Sequence, residues 1–186
     1  MRSVKDFEAD LVARLRKDRI PGDLINEADL ERRFVLPIVR DLMKQGPGPH
    51  VYAHPWKHRG HCAPNCSGLV EQPELHGCPD CWNQSKDWAA VRLYGLHCFD
   101  LVVSNREESF GVELKLLRHT GHGNQRSNAG FQRVLGQCML GKLIHPRMLA
   151  FCAAEKGALD MSATDHVDAL GDQGITLMVK TFARRR

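Results

Sequence analysis

Phe99-Asp100-Leu101-Val102-Val103 and Phe110-Gly111-Val112-Glu113-Leu114-Lys115-Leu116-Leu117, joined by Ser104-Asn105-Arg106-Glu107-Glu108-Ser109, decide how this chain folds. Both apolar runs are rich in β-branched and aromatic residues and predict strands. The polar hexapeptide between them is too long for a two-residue hairpin and too short for a helical crossover. Side chains alternate along a strand, so Glu113 and Lys115 share one face while Val112, Leu114 and Leu116 share the other. Two charged groups on one face of an otherwise apolar strand pair are unfavourable unless something pairs with them. Asp100 and Glu113 lie on consecutive strands that can be neighbours. A divalent cation is the natural partner of two carboxylates, and a lysine beside it can polarise a phosphate or help activate a water. The competing expectation is a solvated hairpin face on which Glu113 and Lys115 are ordinary surface charges, because Glu-x-Lys is a common tripeptide.

Outward from this hairpin, the chain alternates helix and strand as an α/β domain does. Phe7, Leu11, Val12 and Leu15 recur at helical spacing before Pro21-Gly22. Asn26 is placed to cap a second helix running to about Gln45, with Glu27 and Asp29 in its first turn and a kink or boundary expected near Pro37. A short strand is expected from His50 to Trp56. After Lys115 come a glycine-rich loop from Arg118 to Asn128 and a helix from Ala129 to about Leu143, stopped by His145-Pro146. Arg147 to Ala153 reads as a buried strand, Ala163 to Leu170 as a helix, Gly171 to Gly174 as a turn and Ile175 to Phe182 as a last strand.

Cys62-x3-Cys66 and Cys78-x2-Cys81, separated by eleven residues, are the second informative pattern. Two close pairs joined by a loop bring four thiolates to the corners of a tetrahedron around zinc. Such a site, closed by protein ligands, would be structural and would fold an insertion over residues 58–84 that has too few apolar residues to fold alone. His58, His61 and His76 are near enough to replace one cysteine. Cys98, Cys138 and Cys152 lie singly in apolar elements and are expected to be buried thiols.

With 186 residues and 42% hydrophobic residues, the chain suffices for one domain, 1–186, with a proper core. No apolar run approaches a membrane span, and Met1-Arg2-Ser3-Val4-Lys5-Asp6 lacks a signal-peptide core, so no membrane association and a cytoplasmic location are expected. The net charge of +4 permits nucleic-acid binding without demanding it. Its distribution says more: Arg184-Arg185-Arg186 forms a basic tail, and Arg118, His119, His122 and Arg126 cluster in the glycine-rich loop.

In order and spacing, the acidic helix residue, the strand Asp, the Glu-x-Lys strand and the glutamine on the following helix resemble the PD-(D/E)xK nuclease superfamily. The resemblance covers most of the chain outside the cysteine-rich stretch. The segment from Asn26 to Pro37 is similar to the opening helix of nuclease domains in type I restriction enzymes. It implies a restriction-endonuclease-like mixed β-sheet flanked by helices, here with a zinc-binding insertion. Carried over residue by residue, it implies a catalytic set of Glu27 (with Glu31 the alternative), Asp100, Glu113, Lys115 and Gln132 (with Gln137 the alternative). Asp100 and Glu113 would hold Mg2+ or Mn2+, while Cys62, Cys66, Cys78 and Cys81 would hold structural Zn2+. The implied activity is metal-dependent endonucleolytic hydrolysis of DNA, with RNA or branched DNA as other substrates and a homodimer among the arrangements left open. Phe99 precedes Asp100 where the family motif has proline, a departure the family tolerates. The rival expectation is a non-cleaving, zinc-dependent nucleic-acid-binding or assembly module on a vestigial nuclease fold.

Overall fold

The structure is a computed structural model. It describes residues 2–53, 99–105, 107–118, 125–143, 145–159 and 167–184. The four paired cysteines, the insertion at 58–84, Cys98, residues 119–124 with His119 and His122, residues 160–166, and Arg185 and Arg186 lie outside the described residues, as does the side chain of Arg126.

Helix α1 (Val4–Lys17) begins at a capping box. The Asp6 backbone N–H donates to Ser3 Oγ at 3.0 Å, and the Ser3 N–H donates back to the Asp6 carboxylate at 3.3 Å. Its buried stripe is Val4, Phe7, Leu11 and Leu15, the spacing expected of an amphipathic helix. Asn26 caps the next helical stretch as expected, its Oδ1 accepting from the Asp29 N–H at 2.9 Å. That stretch is not one helix. It runs as α2 (Glu27–Leu30), a π turn (Glu31–Val35) and α3 (Leu36–Met43). Pro37 has no N–H to return to the preceding turn, and the chain ahead of it is wound one residue wider, with the Leu36 N–H donating to the Glu31 carbonyl. The boundary expected near Pro37 therefore takes the form of a π turn.

Among the described residues, a five-stranded mixed sheet carries the rest. In chain and spatial order it is β1 (His50–Ala53), β2 (Leu101–Ser104), β3 (Ser109–Leu117), β4 (Arg147–Glu155) and β5 (Ile175–Phe182). β1–β2 and β2–β3 are antiparallel, whereas β3–β4 and β4–β5 are parallel. Parallel neighbours need a crossover, and α4 (Gln125–Gly141) and α5 (Val167–Asp172) lie in the two connections. Ser104 pairs with Ser109, so both serines belong to strands and the turn shortens to residues 105–108. Asn105 Oδ1 holds that turn by accepting from the N–H groups of Glu107 and Glu108. α4 starts four residues before the expected Ala129, because Gln125 to Asn128, polar enough to read as loop, form its first turn. This is an α/β fold: a mixed sheet with flanking helices.

The alternation along β2 and β3 divides the core in two. Leu101, Val103, Val112, Leu114 and Leu116 pack with α1 and α3, while Val102 and Leu117 pack with Phe131, Val134 and Cys138 of α4. Lys180 on β5 joins the last strand to the first helix. Its Nζ donates to the carbonyls of Leu15, Arg16 and Asp18 at 2.8, 2.6 and 2.5 Å, satisfying acceptors at the end of α1 that the helix leaves unpaired. Among the described residues no helix is long and apolar enough to cross a membrane.

Candidate active site

The pairing of β2 with β3 brings the two carboxylates near each other. Leu101 lies opposite Val112 at the end of the regular register. Asp100, just before it, lies near enough to Glu113 for its carboxylate to raise the Glu113 pKa. Asp100 is fixed by its backbone N–H, which donates to the Val112 carbonyl at 3.1 Å, and by its Oδ2, which accepts from the Leu114 N–H at 2.7 Å.

Glu113 is only 3% exposed, which overturns the expectation of an ordinary surface charge. Its Oε1 is buried without a hydrogen-bond partner among the described residues. Burial first, and then the Asp100 carboxylate, push its pKa up to about 9; Lys115 opposes this and Glu27 adds to it. Lys115, one pleat further along the same face, pairs with Glu27, with Nζ 2.5 Å from Oε1. Residues 26, 27 and 31 thus divide their tasks. Asn26 caps, Glu27 reaches the lysine and Glu31 is buried within the π turn.

The glutamines stand apart from this cluster. On α4, Gly130 lies against this strand: an added Cβ would lie 3.6 Å from Lys115 Cε and 3.1 Å from Leu117 Cδ2. Two residues further along a helix the side chain has turned by roughly 200°. Gln132 accordingly faces solvent, and the structure does not bring it to Lys115. Gln137 is half-buried on the same side of α4 as Gly130, about 10 Å further along the axis. Two contributions were not read from the sequence: Gly130, whose missing side chain admits α4 close to Lys115, and Arg118, whose Nη1 donates to the Ile25 carbonyl at 2.8 Å. Neither leaves a local signal, since both depend on how distant segments meet.

Cys138 and Cys152 are buried free thiols, as expected. Burial raises the pKa of both, that of Cys152 to about 12, so they stay protonated and inert. Among the described residues no three His, Cys, Asp or Glu side chains are grouped to share a cation. The acidic arrangement is a pair, Asp100 with Glu113, and the Glu27 carboxylate is turned onto the lysine. A pair of carboxylates with an orphaned buried oxygen suits a hard cation that completes its shell with other oxygens, and so fits Mg2+ or Mn2+ better than a thiolate-seeking metal.

No family model matches the chain, and comparison with curated proteins and with solved structures gives no significant similarity.

Proposed function

We propose that this chain is a divalent-cation-dependent endonuclease of the PD-(D/E)xK, restriction-endonuclease-like kind, hydrolysing DNA phosphodiester bonds. The observation that carries the reading is Glu113: a carboxylate 3% exposed, close to a second carboxylate, with an oxygen that has no partner among the described residues. Burying such a group among like charges is destabilising for a fold that has no use for it. Asp100 and Glu113 would hold the Mg2+ or Mn2+. That ion, when bound, supplies Lewis acidity toward a phosphoryl oxygen and acidifies a coordinated water.

The remaining roles fall to the chain's own groups. Asp100, held by two backbone hydrogen bonds, presents a carboxylate of fixed orientation. Lys115 carries its charge on the same face as Glu113, where negative charge grows on phosphorus oxygens during in-line displacement. Glu27 orients that ammonium. The zinc-binding insertion at 58–84, with Cys62, Cys66, Cys78 and Cys81 as ligands, rests on the cysteine spacing alone and is part of the same proposal.

One assay tests the reading. Purified protein is incubated with linear, circular, single-stranded and branched DNA and with RNA, with Mg2+ or with chelator. Cation-dependent cleavage that disappears in Glu113→Gln supports it. Binding without cleavage of any substrate favours the non-cleaving module, and cleavage that survives Glu113→Gln refutes the site.

A further inference from the structure

Glu27 can meet Lys115 only if the start of α2 is held over β3, and between the buried Leu24 and Leu30 this turn buries no apolar side chain. Ile25 is 67% exposed, Asn26, Glu27 and Ala28 face solvent, and within α2 only Leu30 is buried. The hydrogen bonds inside the turn, from the Ile25 N–H to Asp29 Oδ2 at 2.8 Å and from the Asp29 N–H to Asn26 Oδ1 at 2.9 Å, shape it without attaching it to the sheet. Two polar contacts make the attachment. One is the Glu27–Lys115 pair itself. The other is the Arg118 guanidinium, which reaches across 93 positions of sequence to the Ile25 carbonyl, two residues before Glu27.

We propose that Arg118 is a positioning residue: by anchoring the Ile25 carbonyl to the end of β3, it sets the first turn of α2 so that the Glu27 carboxylate meets the Lys115 ammonium. The inference rests on the nuclease reading for its catalytic consequence, but not for its geometry. Arg118 follows Lys115 by three residues on one strand end, and Ile25 precedes Glu27 by two, so the two contacts act as parallel rungs between the same segments. Arginine suits the task. Its guanidinium is rigid, always charged and directional, and a bond from a charged donor to a carbonyl is stronger than a neutral one. Without that rung, the exposed turn between the buried Leu24 and Leu30 would keep the Glu27–Lys115 pair as its described polar tie to β3. An exposed ion pair held only in this way contributes little.

The test uses full-length protein carrying Arg118→Met, which keeps the apolar stem, Arg118→Lys, which keeps a charged donor, Glu27→Gln, and the double variant Arg118→Met/Glu27→Gln. With Mg2+ and a cleavable DNA, Arg118→Met is expected to lower kcat about ten- to hundredfold, the scale of a misplaced catalytic group, with KM moved less than about threefold. Arg118→Lys should recover part of that loss, and the double variant should be no slower than Glu27→Gln alone within about twofold. A second readout needs neither DNA nor metal. The side-chain NMR signals of Lys115 should shift in Arg118→Met in the same direction as in Glu27→Gln. Lys115 signals unchanged by Arg118→Met would overturn the proposal. So would a raised KM with kcat intact, which would make Arg118 a substrate contact. If the wild-type protein cleaves nothing, the nuclease reading fails, and the Lys115 signals still decide the positioning role.

Discussion

Glu113 and His145 are both withdrawn from water, one in the middle of β3 and the other beside its first residue, and they are buried on different terms. His145 is fully buried. Its Nδ1 lies 2.8 Å from Ser109 Oγ, the ring packs edge-on against Phe99 with centroids 5.3 Å apart, and burial lowers its pKa to about 4. The neutral ring is what the apolar surroundings require, and one hydroxyl holds it. Glu113 lies close to a carboxylate and a lysine, and one of its oxygens has no partner among the described residues. His145 Nε2 likewise has no partner among the described residues, so the two differ in charge rather than in completeness: a neutral ring suits its apolar surroundings, whereas a charged Glu113 would gain from a further positive charge beside it. Burial alone therefore does not mark a site; what distinguishes Glu113 is burial beside groups that penalise its charge.

The sharpest way to break this contrast is kinetic. Asp100→Asn and Glu113→Gln should each lower single-turnover DNA cleavage in Mg2+ by about a thousandfold, the upper scale for removing a group that stabilises developing charge, and leave the fold intact. A loss below about tenfold in either would place Glu113 with His145, as a buried residue of no catalytic weight.

The next effect is on stability, and the two residues push it in opposite directions. Glu113 holds its proton more tightly folded, with a pKa of about 9, than unfolded, near 4.5. Its contribution is therefore fully present below about pH 4.5 and is lost as pH rises through about 9. In chelator at pH 8, Glu113→Gln should melt higher than wild type, by the equivalent of a few kcal/mol, and added Mg2+ should stabilise wild type and not the variant. His145 behaves inversely. Its pKa is about 4 folded against 6.5 unfolded, so its contribution is intact above about pH 6.5 and is lost as pH falls through about 4. That acid limb should amount to about 3 kcal/mol, and urea melts of His145→Asn should show it flattened.

Smaller effects are expected away from Glu113. Ser109→Ala leaves the His145 Nδ1 without its hydroxyl and should destabilise the protein by about 1–3 kcal/mol at neutral pH, with cleavage unchanged. The least effect is expected on the outer side of α4. A Cβ at Gly136 meets nothing within 4 Å, so Gly136→Ala should add about 0.4–1 kcal/mol, read as a higher urea midpoint at an unchanged slope.

Much of this was legible in the sequence where a local rule decided the outcome. The alternation of Val112, Leu114 and Leu116 against Glu113 and Lys115 is the division between the two cores, because strand periodicity leaves no other choice. Asn26 capped where a short acceptor should, and Phe7, Leu11 and Leu15 formed the stripe their spacing predicts. What escaped depended on meetings between distant segments or on small phase errors. His145 read only as a helix stop, since Ser109 lies 36 residues away. Placing the start of α4 at Ala129 hid its true first turn, and motif order alone favoured Gln132, although helical rotation from Gly130 turns it outward. Between Glu27 and Glu31 the sequence offered two candidates one turn apart, and the fold turns Glu27 onto Lys115 and buries Glu31.

The three carbonyls gathered by Lys180 have a consequence for the order in which the molecule can be made. A ribosome delivers α1 well before β5, with 162 positions of chain between Asp18 and Lys180. Throughout synthesis the end of α1 waits with its carbonyls on water, and β4 and β5 are not yet present to build the parallel half of the sheet. Native closure is thereby a late event, reached only when nearly all the described chain has emerged. A nascent chain stalled before Ile175 would leave the carbonyls at the end of α1 without Lys180 and the edge of β4 without β5, an open edge that a chaperone binds and a protease finds.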